Sequence, residues 1–335
     1  MQTPTGSAPS TLSRASLFGV AAGITVAAAA PASAADSCHI GPPDHVKGPR
    51  VFMDYDQVEL DAAYDQSAYA PLSGQLEARM AANSKLVRER LGQPLRVAYG
   101  PTQIEKLDIY RAHQPGAPIF VYLHGGRWLH GNAADYAFKA ELFVAHGATY
   151  IAPDFISVDK ANGDLGVLAD QVRRAVAWVW KNAATFGGDA SRLYVGGHSS
   201  GGHLSGVVHV TDWASYGLPA NAIKGGMCAS GMYELTPVRL SSRGKYIAFT
   251  DAMVEELSAQ RHIDRIHAPL IVSYGTNETP EFQRQNREFA AAVKAAGKPV
   301  QLIEATGYNH FEMEESYGNP YGPNGRAALA LMGLT

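Results

Sequence analysis

The feature that most constrains the fold is a G-x-S-x-G pentapeptide at residues 197–201, with Ser199 at its centre. We call this pentapeptide the elbow. It follows a short apolar run, residues 193–195, and precedes a stretch of small residues that is compatible with a helix. A turn this tight between a strand and a helix leaves no room for bulk beside the serine, so glycine is needed at both ends. The pattern therefore predicts a strand, a strained turn that exposes the Ser199 hydroxyl, and a helix whose positive N-terminal end points toward the serine.

Short apolar runs alternate with longer amphipathic runs from residue 95 onward, which predicts an α/β fold: a mostly parallel, doubly wound sheet with helices on both faces. The candidate strands are residues 95–98, 107–110, 119–123, 149–152, 193–195, 225–229, 270–274 and 300–304. The candidate helices are residues 136–146, 165–186, 202–210, 280–296 and a C-terminal helix from Gly325. Ligands bind such sheets at the carboxyl ends of the strands, so the residues that follow these strands are the first candidates for a site.

The chain divides into three predicted segments. Residues 1–35 hold one charged residue, an apolar run and an A-x-A-like cleavage signal, which together predict a signal peptide and a periplasmic or secreted mature chain. Residues 36–92 form an N-terminal arm with a helical pattern at residues 76–90, and residues 93–335 form the α/β domain. Within that domain the mixed stretch 232–266, the cap stretch, is expected to hold a short helix and to lie over the mouth of the site; an ordinary surface connection is the alternative.

The composition restricts the classes of partner that we expect the chain to bind. The net charge is −3 and no basic block or stripe is present, which disfavours nucleic acid as a partner. After the signal peptide no segment is long and apolar enough to span a membrane, and we expect neither a membrane partner nor a cofactor. The two cysteines, Cys38 and Cys228, would form one disulfide in an oxidising compartment, with two unpaired thiols as the alternative. The sequence leaves the oligomeric state open.

The residue types that activate a serine follow candidate strands in the order serine, carboxylate, histidine. Ser199 lies in the elbow, Glu278 follows the strand at 270–274, and His310 lies in the loop after the last strand. A serine hydroxyl needs a base to take its proton, and the base needs a carboxylate to orient it. We therefore predict Ser199 as nucleophile, His310 as base and Glu278 as acid, with Glu281 as the alternative acid.

Two consecutive glycines, Gly125 and Gly126, follow the third candidate strand. They lie within residues 124–128, which we call the oxyanion loop. Because glycine has no Cβ, their N–H groups can face a pocket, so we expect them to form an oxyanion hole together with the N–H of Ser200. Ser200 is also the alternative nucleophile, although it lacks the flanking glycines. The candidate substrate-binding residues are Arg127, Trp128, Tyr233 and Tyr308. Arg127 would suit a substrate carboxylate, with a surface salt bridge as the alternative, and core packing is the alternative for Trp128.

Several histidines lie near these motifs: His130, His198, His203 and His209. None of them falls in a recognised ligand spacing such as H-E-x-x-H. We therefore expect hydrogen-bonded or packed histidines here, and no metal.

Taken together, these motifs resemble the kynurenine formamidase (arylformamidase) branch of the α/β-hydrolases. The segments that carry the resemblance are residues 124–128, 197–204, 211–213, 230–237, 278–285 and 309–311. It extends from about Tyr55 to the C-terminus and implies the α/β-hydrolase fold, with the same assignment of serine, glutamate and histidine. Members of this branch hydrolyse the formamide of N-formylkynurenine, and related proteins act as carboxylesterases.

We therefore expect an exported serine hydrolase that cleaves small, aromatic carboxylic esters or amides through an acyl-enzyme. The alternative is an arylformamidase that acts on N-formylkynurenine-type formamides. Predicted export favours the esterase, because tryptophan catabolism is intracellular. A non-catalytic binding protein on the same fold is a remote alternative, since the serine, carboxylate and histidine are all in place.

Overall fold

The computed structural model describes Gly41 and residues 43–335, so the predicted signal peptide and Cys38 lie outside the described residues. The strands are β1 Leu95–Ala98, β2 Lys106–Tyr110, β3 Ala117–Leu123, β4 Thr149–Pro153, β5 Gly188–His198, β6 Ile223–Ala229, β7 Leu270–Gly275 and β8 Val300–Ala305. They form one sheet in the order β1-β2-β4-β3-β5-β6-β7-β8. The pairs β1–β2 and β2–β4 are antiparallel and the other five are parallel, which confirms the predicted mostly parallel sheet.

The α-helices are α1 Gln57–Ala63, α2 Ser73–Leu91, α3 Ala140–Ala145, α4 Leu165–Asn182, α5 Ser200–His209, α6 Thr236–Leu240, α7 Asp251–Leu257, α8 Pro280–Ala295, α9 His310–Glu315 and α10 Pro323–Leu331. The expected helix at 136–146 is instead a 3-10 segment, Ala133–Lys139, followed by α3. The Asn132 side chain caps this segment by accepting from the N–H groups of the second and third following residues. No helix of the described residues is long and apolar enough to cross a membrane.

Strand β3 is buried along its whole length, as expected for a central strand that is covered on both faces. Ile119, Val121 and Leu123 belong to a hydrophobic cluster shared with α4 and α5. The residues between them point to the other face, where Phe120 stacks on Phe143 of α3 with 4.4 Å between ring centroids. Because successive side chains of β3 point to opposite faces, this one strand contributes to two separate hydrophobic layers, one on each side of the sheet.

The topology places a crevice at the centre of the sheet. Strand β3 pairs with β4 on one side and with β5 on the other, so the direction in which strands are added reverses at β3. Connections that leave the carboxyl ends of β3 and β5 diverge to opposite sides and open a crevice between them. The oxyanion loop follows β3 and the elbow follows β5, so both predicted motifs lie at this crevice.

The N-terminal arm packs on the domain near the carboxyl end of β7. Tyr64, four per cent exposed, belongs to the main hydrophobic cluster, and its hydroxyl donates to Glu281 over 3.1 Å. The Thr279 hydroxyl donates to the carbonyl of Ala63 over 2.7 Å, and the Gln66 amide donates to the Thr279 hydroxyl over 3.2 Å. These buried hydrogen bonds fix the arm beside the residues that follow β7.

Candidate active site

The elbow has the predicted geometry. Ser199 lies between the end of β5 and the start of α5 with φ 58° and ψ −123°, a strained conformation for a residue with a side chain. A Cβ on Gly197 would lie 2.2 Å from the Gly201 carbonyl oxygen, and a Cβ on Gly201 would lie 2.0 Å from that of Leu123. Because backbone atoms fill both positions, only glycine fits there, and the helix begins directly after the serine.

The oxyanion loop lies against the elbow. A Cβ on Gly125 would be 3.4 Å from the Ser199 Cβ, and Gly126 adopts φ 98°, which favours glycine. The Trp128 N–H donates to the Ser200 hydroxyl over 3.2 Å, so the side chain of Ser200 ties the loop to the first turn of α5. Gly125, Gly126 and Ser199 line one cavity, whereas the oxyanion role of the N–H groups of Gly125, Gly126 and Ser200 stays a prediction.

Glu278 and His310 are hydrogen-bonded to each other. His310 Nδ1 lies 2.9 Å from Glu278 Oε2, while the other carboxylate oxygen accepts from the Ser230 hydroxyl over 2.6 Å and from the Gly275 N–H over 2.8 Å. The carboxylate thus holds the imidazole in one orientation, and its negative charge favours the tautomer with the proton on Nδ1. That tautomer leaves Nε2 of His310 free to accept a proton.

The electrostatics suit a neutral base beside an ionised acid. Burial disfavours the charged carboxylate, but attraction and hydrogen bonding from His310 outweigh it and hold the pKa of Glu278 below its ordinary value. Burial is also the largest effect on His310, and with repulsion from His198 it lowers the pKa of His310, although Glu278 opposes this. The lowered pKa favours the neutral imidazole, the form that can take a proton from a serine hydroxyl.

The alternative acid is engaged elsewhere. Glu281 lies in the first turn of α8, where it forms an ion pair with Arg284 at 2.6 Å and accepts from Tyr64. His310, predicted to lie in a loop, is instead the first residue of α9. Asn309 caps this helix, and its capping box with Glu312 fixes the histidine at the helix start.

A buried charge group that the sequence analysis did not single out lies behind the site. Glu314, on α9, lies 2.7 Å from His198 Nδ1 and pairs with the ammonium of the fully buried Lys139. The rings of His198 and His310 are 4.4 Å apart between centroids. Glu314 follows His310 by four residues, so helical spacing would have placed both on one face, but nothing local marks Lys139 as a partner.

Ser199 and His310 open into a cavity of about 490 Å³. The N-terminal arm covers much of it, with Tyr64, Gln66, Ser73, Glu77 and Met80 among the lining residues. Among the described residues, Arg243 is the member of the cap stretch that lines this cavity. The covering role of the cap stretch stays a prediction, and the arm is the larger contributor to the walls.

The four predicted substrate-binding residues occupy different places. Arg127 is exposed and lines the cavity. Trp128 and Tyr233 are buried, at two and zero per cent exposed, and neither is among the lining residues. Tyr308 is half-buried and lines another depression, beside α2. Of the four, Arg127 is therefore the one in the cavity wall.

His203 and His209 lie in packed surroundings, as predicted, whereas the prediction was wrong for His130, which is exposed and lines the cavity. Nε2 of His203 donates to the carbonyl of Leu257 over 3.0 Å, and burial lowers the pKa of both His203 and His209 to about 4. Among the described residues, one group has the spacing to hold a metal ion, His45 with Asp56 and Glu59, and it does not line the cavity.

The predicted disulfide remains a prediction. Cys228 is fully buried at the end of the sheet core, and burial raises the pKa of its thiol to about 12. Its Sγ lies 3.7 Å from the hydroxyl oxygen of Ser205. The proposed partner, Cys38, lies outside the described residues.

Comparison with known proteins places this geometry in a family. The BD-FAE family model matches residues 107–216. Kynurenine formamidase of Danio rerio is 30% identical over 226 residues, which are 65% of this chain and 75% of that protein. The chain belongs to the kynurenine formamidase branch of the α/β-hydrolases. The resemblance predicted from the motifs is thereby confirmed.

Other relatives of this branch member are hydrolases. Esterase LipC of Mycobacterium tuberculosis is 26% identical over 239 residues, which cover 64% of this chain and 59% of that protein. A solved structure from Silicibacter sp. tm1040 aligns with a TM-score of 0.71 at 22% identity and covers 82% of this chain and 99% of that chain. The predicted α/β-hydrolase fold is confirmed, and the chain is a hydrolase.

Proposed function

We propose that this chain is an exported serine hydrolase that cleaves small, aromatic carboxylic esters or amides. The observation that carries the proposal is the His310–Glu278 hydrogen bond of 2.9 Å at a cavity that the strained Ser199 also lines. A buried carboxylate that orients a neutral imidazole is the arrangement that activates a serine hydroxyl. The family assignment supports ester or formamide substrates.

In the proposed mechanism Nε2 of His310 takes the proton of the Ser199 hydroxyl while the oxygen attacks the substrate carbonyl carbon. The carbonyl oxygen becomes an oxyanion, which accepts hydrogen bonds from the N–H groups of the oxyanion loop and of Ser200. His310 then gives its proton to the leaving alcohol or amine as the carbonyl–heteroatom bond breaks. Water, deprotonated by His310, attacks the acyl-enzyme, and the acid product leaves with Ser199 restored.

Arylformamidase activity is the second candidate, and the identity with kynurenine formamidase of Danio rerio favours it. The esterase reading rests on the signal-peptide pattern of residues 1–35 and on the more distant match to esterase LipC. Both candidates use the same residues, so substrate preference is what separates them. An N-formyl aryl amine and a short aryl ester are therefore the discriminating pair of substrates.

The test measures kcat/KM of the chain from Ala35 onward on N-formylkynurenine and on phenyl acetate, with Ser199→Ala beside it. We expect Ser199→Ala to lower kcat by about a thousandfold to a millionfold and to lose labelling by a fluorophosphonate probe. Ser215→Ala, at an exposed serine, is the matched control and should behave as wild type. Full activity in folded Ser199→Ala would refute the nucleophile, and absence of labelling in wild type would revive the non-catalytic alternative.

Export has its own test. Expression of the full chain in a bacterial host, followed by separation of periplasm from cytoplasm and N-terminal sequencing, should find a periplasmic product that begins near residue 35. A cytoplasmic product that retains Met1 or its neighbouring residues would refute export while leaving the chemistry untouched.

A further inference from the structure

Arg243 is a buried cation in the wall of the cavity. It lies in the 3-10 segment Ser242–Lys245 and is four per cent exposed. Its Nη1 donates to the Tyr246 hydroxyl over 2.9 Å, and its Nη2 donates to the Tyr64 carbonyl over 3.1 Å. Its Nε is also buried, and no hydrogen-bond partner for it exists among the described residues. An N–H donor is thus left unsatisfied on a charged group at the cavity.

The charge of Arg243 is also unbalanced. No carboxylate oxygen within the described part of the chain lies within 4.0 Å of its guanidinium, whereas the other deeply buried cation here, Lys139, pairs with Glu314. Its guanidinium carbon lies 5.9 Å from the ring centroid of Tyr64 and 5.6 Å from that of Trp128. The two rings hold the guanidinium in place by cation–π attraction, but they supply no negative charge.

This cation lies on the reaction side of the cavity. Trp128, whose ring contacts the guanidinium, belongs to the oxyanion loop, and its N–H is bound to Ser200 at the start of α5. Arg243 and Ser199 line the same cavity of about 490 Å³. A small substrate whose carbonyl reaches Ser199 therefore has room to place a second group at Arg243.

The acidic residues of the cavity do not neutralise this charge. Asp65, Glu77 and Asp135 line the cavity but are exposed, so water screens them. Glu314 is buried and already shared between Lys139 and His198. A negatively charged ligand group is thus the component that would complete the surroundings of Arg243.

We propose that Arg243 binds a carboxylate of the substrate, so that the preferred substrates are esters or amides that carry a carboxylate in addition to the scissile bond. This inference rests on the proposed function, because it assumes that Ser199 attacks a carbonyl in the same cavity. The carboxylate would balance the charge of Arg243, and the residue acts as a specificity determinant that leaves the reacting atoms untouched.

The test uses two pairs of substrates that differ only in the carboxylate. One pair is 4-nitrophenyl hydrogen glutarate and its methyl ester, with the charge on the acyl side; the other is 4-acetoxybenzoate and its methyl ester, with the charge on the leaving group. The measured quantity is the ratio of kcat/KM for the acid to kcat/KM for its methyl ester. Because both members are measured on one preparation, the ratio does not depend on the fraction of folded enzyme.

Wild type should prefer the acid in at least one pair. Arg243→Gln should lower that ratio by about ten- to hundredfold, the usual loss for a hydrogen bond to a charged group, while turnover of the methyl ester persists. Arg243→Lys should keep part of the ratio. Arg239→Gln, which removes the same charge from an exposed ion pair with Asp251 in the same stretch, should leave the ratio unchanged.

Several results would overturn the proposal. These are a wild-type ratio at or below one in both pairs, an unchanged ratio in Arg243→Gln, or a loss of the ratio in Arg127→Gln instead. If neither Arg243 variant folds, inhibition of wild type decides: benzoate should inhibit methyl ester turnover at least tenfold more strongly than benzamide, and equal inhibition would refute the idea. Failure of the proposed function looks different, because methyl ester turnover would then survive in Ser199→Ala.

Discussion

Replacing Lys139 by methionine tests the buried charge group behind the candidate site. The ammonium of Lys139 is fully buried and pairs with Glu314, which also accepts from the Tyr122 hydroxyl over 2.7 Å and lies 2.7 Å from His198 Nδ1. Burial lowers the pKa of Lys139 to about 8 against the attraction of Glu314, so the ammonium remains charged at pH 7. The same attraction, with that of His198, outweighs the effect of burial and holds the pKa of Glu314 well below its ordinary value.

The expected loss in the free energy of unfolding of Lys139→Met depends on the partners that Glu314 retains in this variant. Removing one partner of a buried ion pair costs about 3–5 kcal/mol, because the other charge is left uncompensated. Here Glu314 retains the Tyr122 hydroxyl and the neighbouring His198, so we expect a loss in the free energy of unfolding near the lower end, about 3 kcal/mol. Replacing both charges, Lys139→Met with Glu314→Gln, removes the uncompensated carboxylate and should recover at least half of that loss.

The assay is urea unfolding at pH 7, followed by far-ultraviolet circular dichroism, for wild type, both single variants and the double variant. Arg90→Met is the matched control, because its ion pair with Glu141 is exposed, and it should cost less than about 1 kcal/mol. A loss in Lys139→Met no larger than in Arg90→Met, or a double variant less stable than Lys139→Met, would show that the pair is not the buried, coupled unit described above.

Two further predictions concern the elbow and the packed histidines. Gly201→Ala should lower kcat/KM on phenyl acetate by at least about a hundredfold, since its Cβ would overlap carbonyl oxygens at the end of β3, whereas Gly74→Ala, with open space, should be neutral. His203 and His209 have folded-state pKa values of about 4, below the unfolded value, so the unfolded chain binds more protons between these values. Their stabilising contribution is complete above about pH 6.5 and is lost as pH falls toward 4, so the urea midpoint should drop between pH 7 and 5; a constant midpoint would contradict this.

The sheet was predictable because its signal is local. Most strands are short apolar runs: β3, β4 and β7 are buried along their whole length, whereas the edge strands β1 and β8 are largely exposed. All eight predicted strands are present, and all except β1 differ from the prediction at one or both ends. The largest shift is in β5, which begins at Gly188 instead of near residue 193. Gly188 pairs with Ala117 of β3, a contact between distant residues that the half-buried to exposed and mostly polar sequence at 189–192 does not reveal.

The geometry of the elbow was predictable for a different reason. Backbone atoms lie within 2.2 Å of the position that a Cβ would occupy, so only glycine fits there. The glycines of the motif therefore predict the geometry of the turn directly. The placement of His310 shows the limit of this reasoning. Its helix start is encoded in Asn309 and Glu312, a capping signal that is present in the sequence and that contradicts the predicted loop.

No local sequence pattern marks the charged residues around the site. Lys139 reaches Glu314 across 175 residues, and the guanidinium of Arg243 binds the Tyr64 carbonyl across 179 residues. Neither lysine nor arginine belongs to a motif, and each would be read from sequence alone as a solvated surface charge. Only the assembled fold brings these cations into a region of low dielectric, where a missing or present carboxylate changes their energy by several kcal/mol.

Catalysis and substrate discrimination at this site therefore differ in how far the sequence predicts them. The proposed catalytic residues, Ser199, Glu278 and His310, follow strands whose carboxyl ends lie at the same edge of the sheet, so a motif search finds them. Discrimination between substrates depends on the walls, and here the walls include the N-terminal arm and Arg243 beside the oxyanion loop and the segment that follows it. Because the carbonyl of Tyr64 fixes Arg243 while the guanidinium faces the Tyr64 ring, the arm and the cap stretch position each other. On the proposal that Arg243 binds a substrate carboxylate, selectivity depends on that contact, and it can change without any change in the elbow, Glu278 or His310.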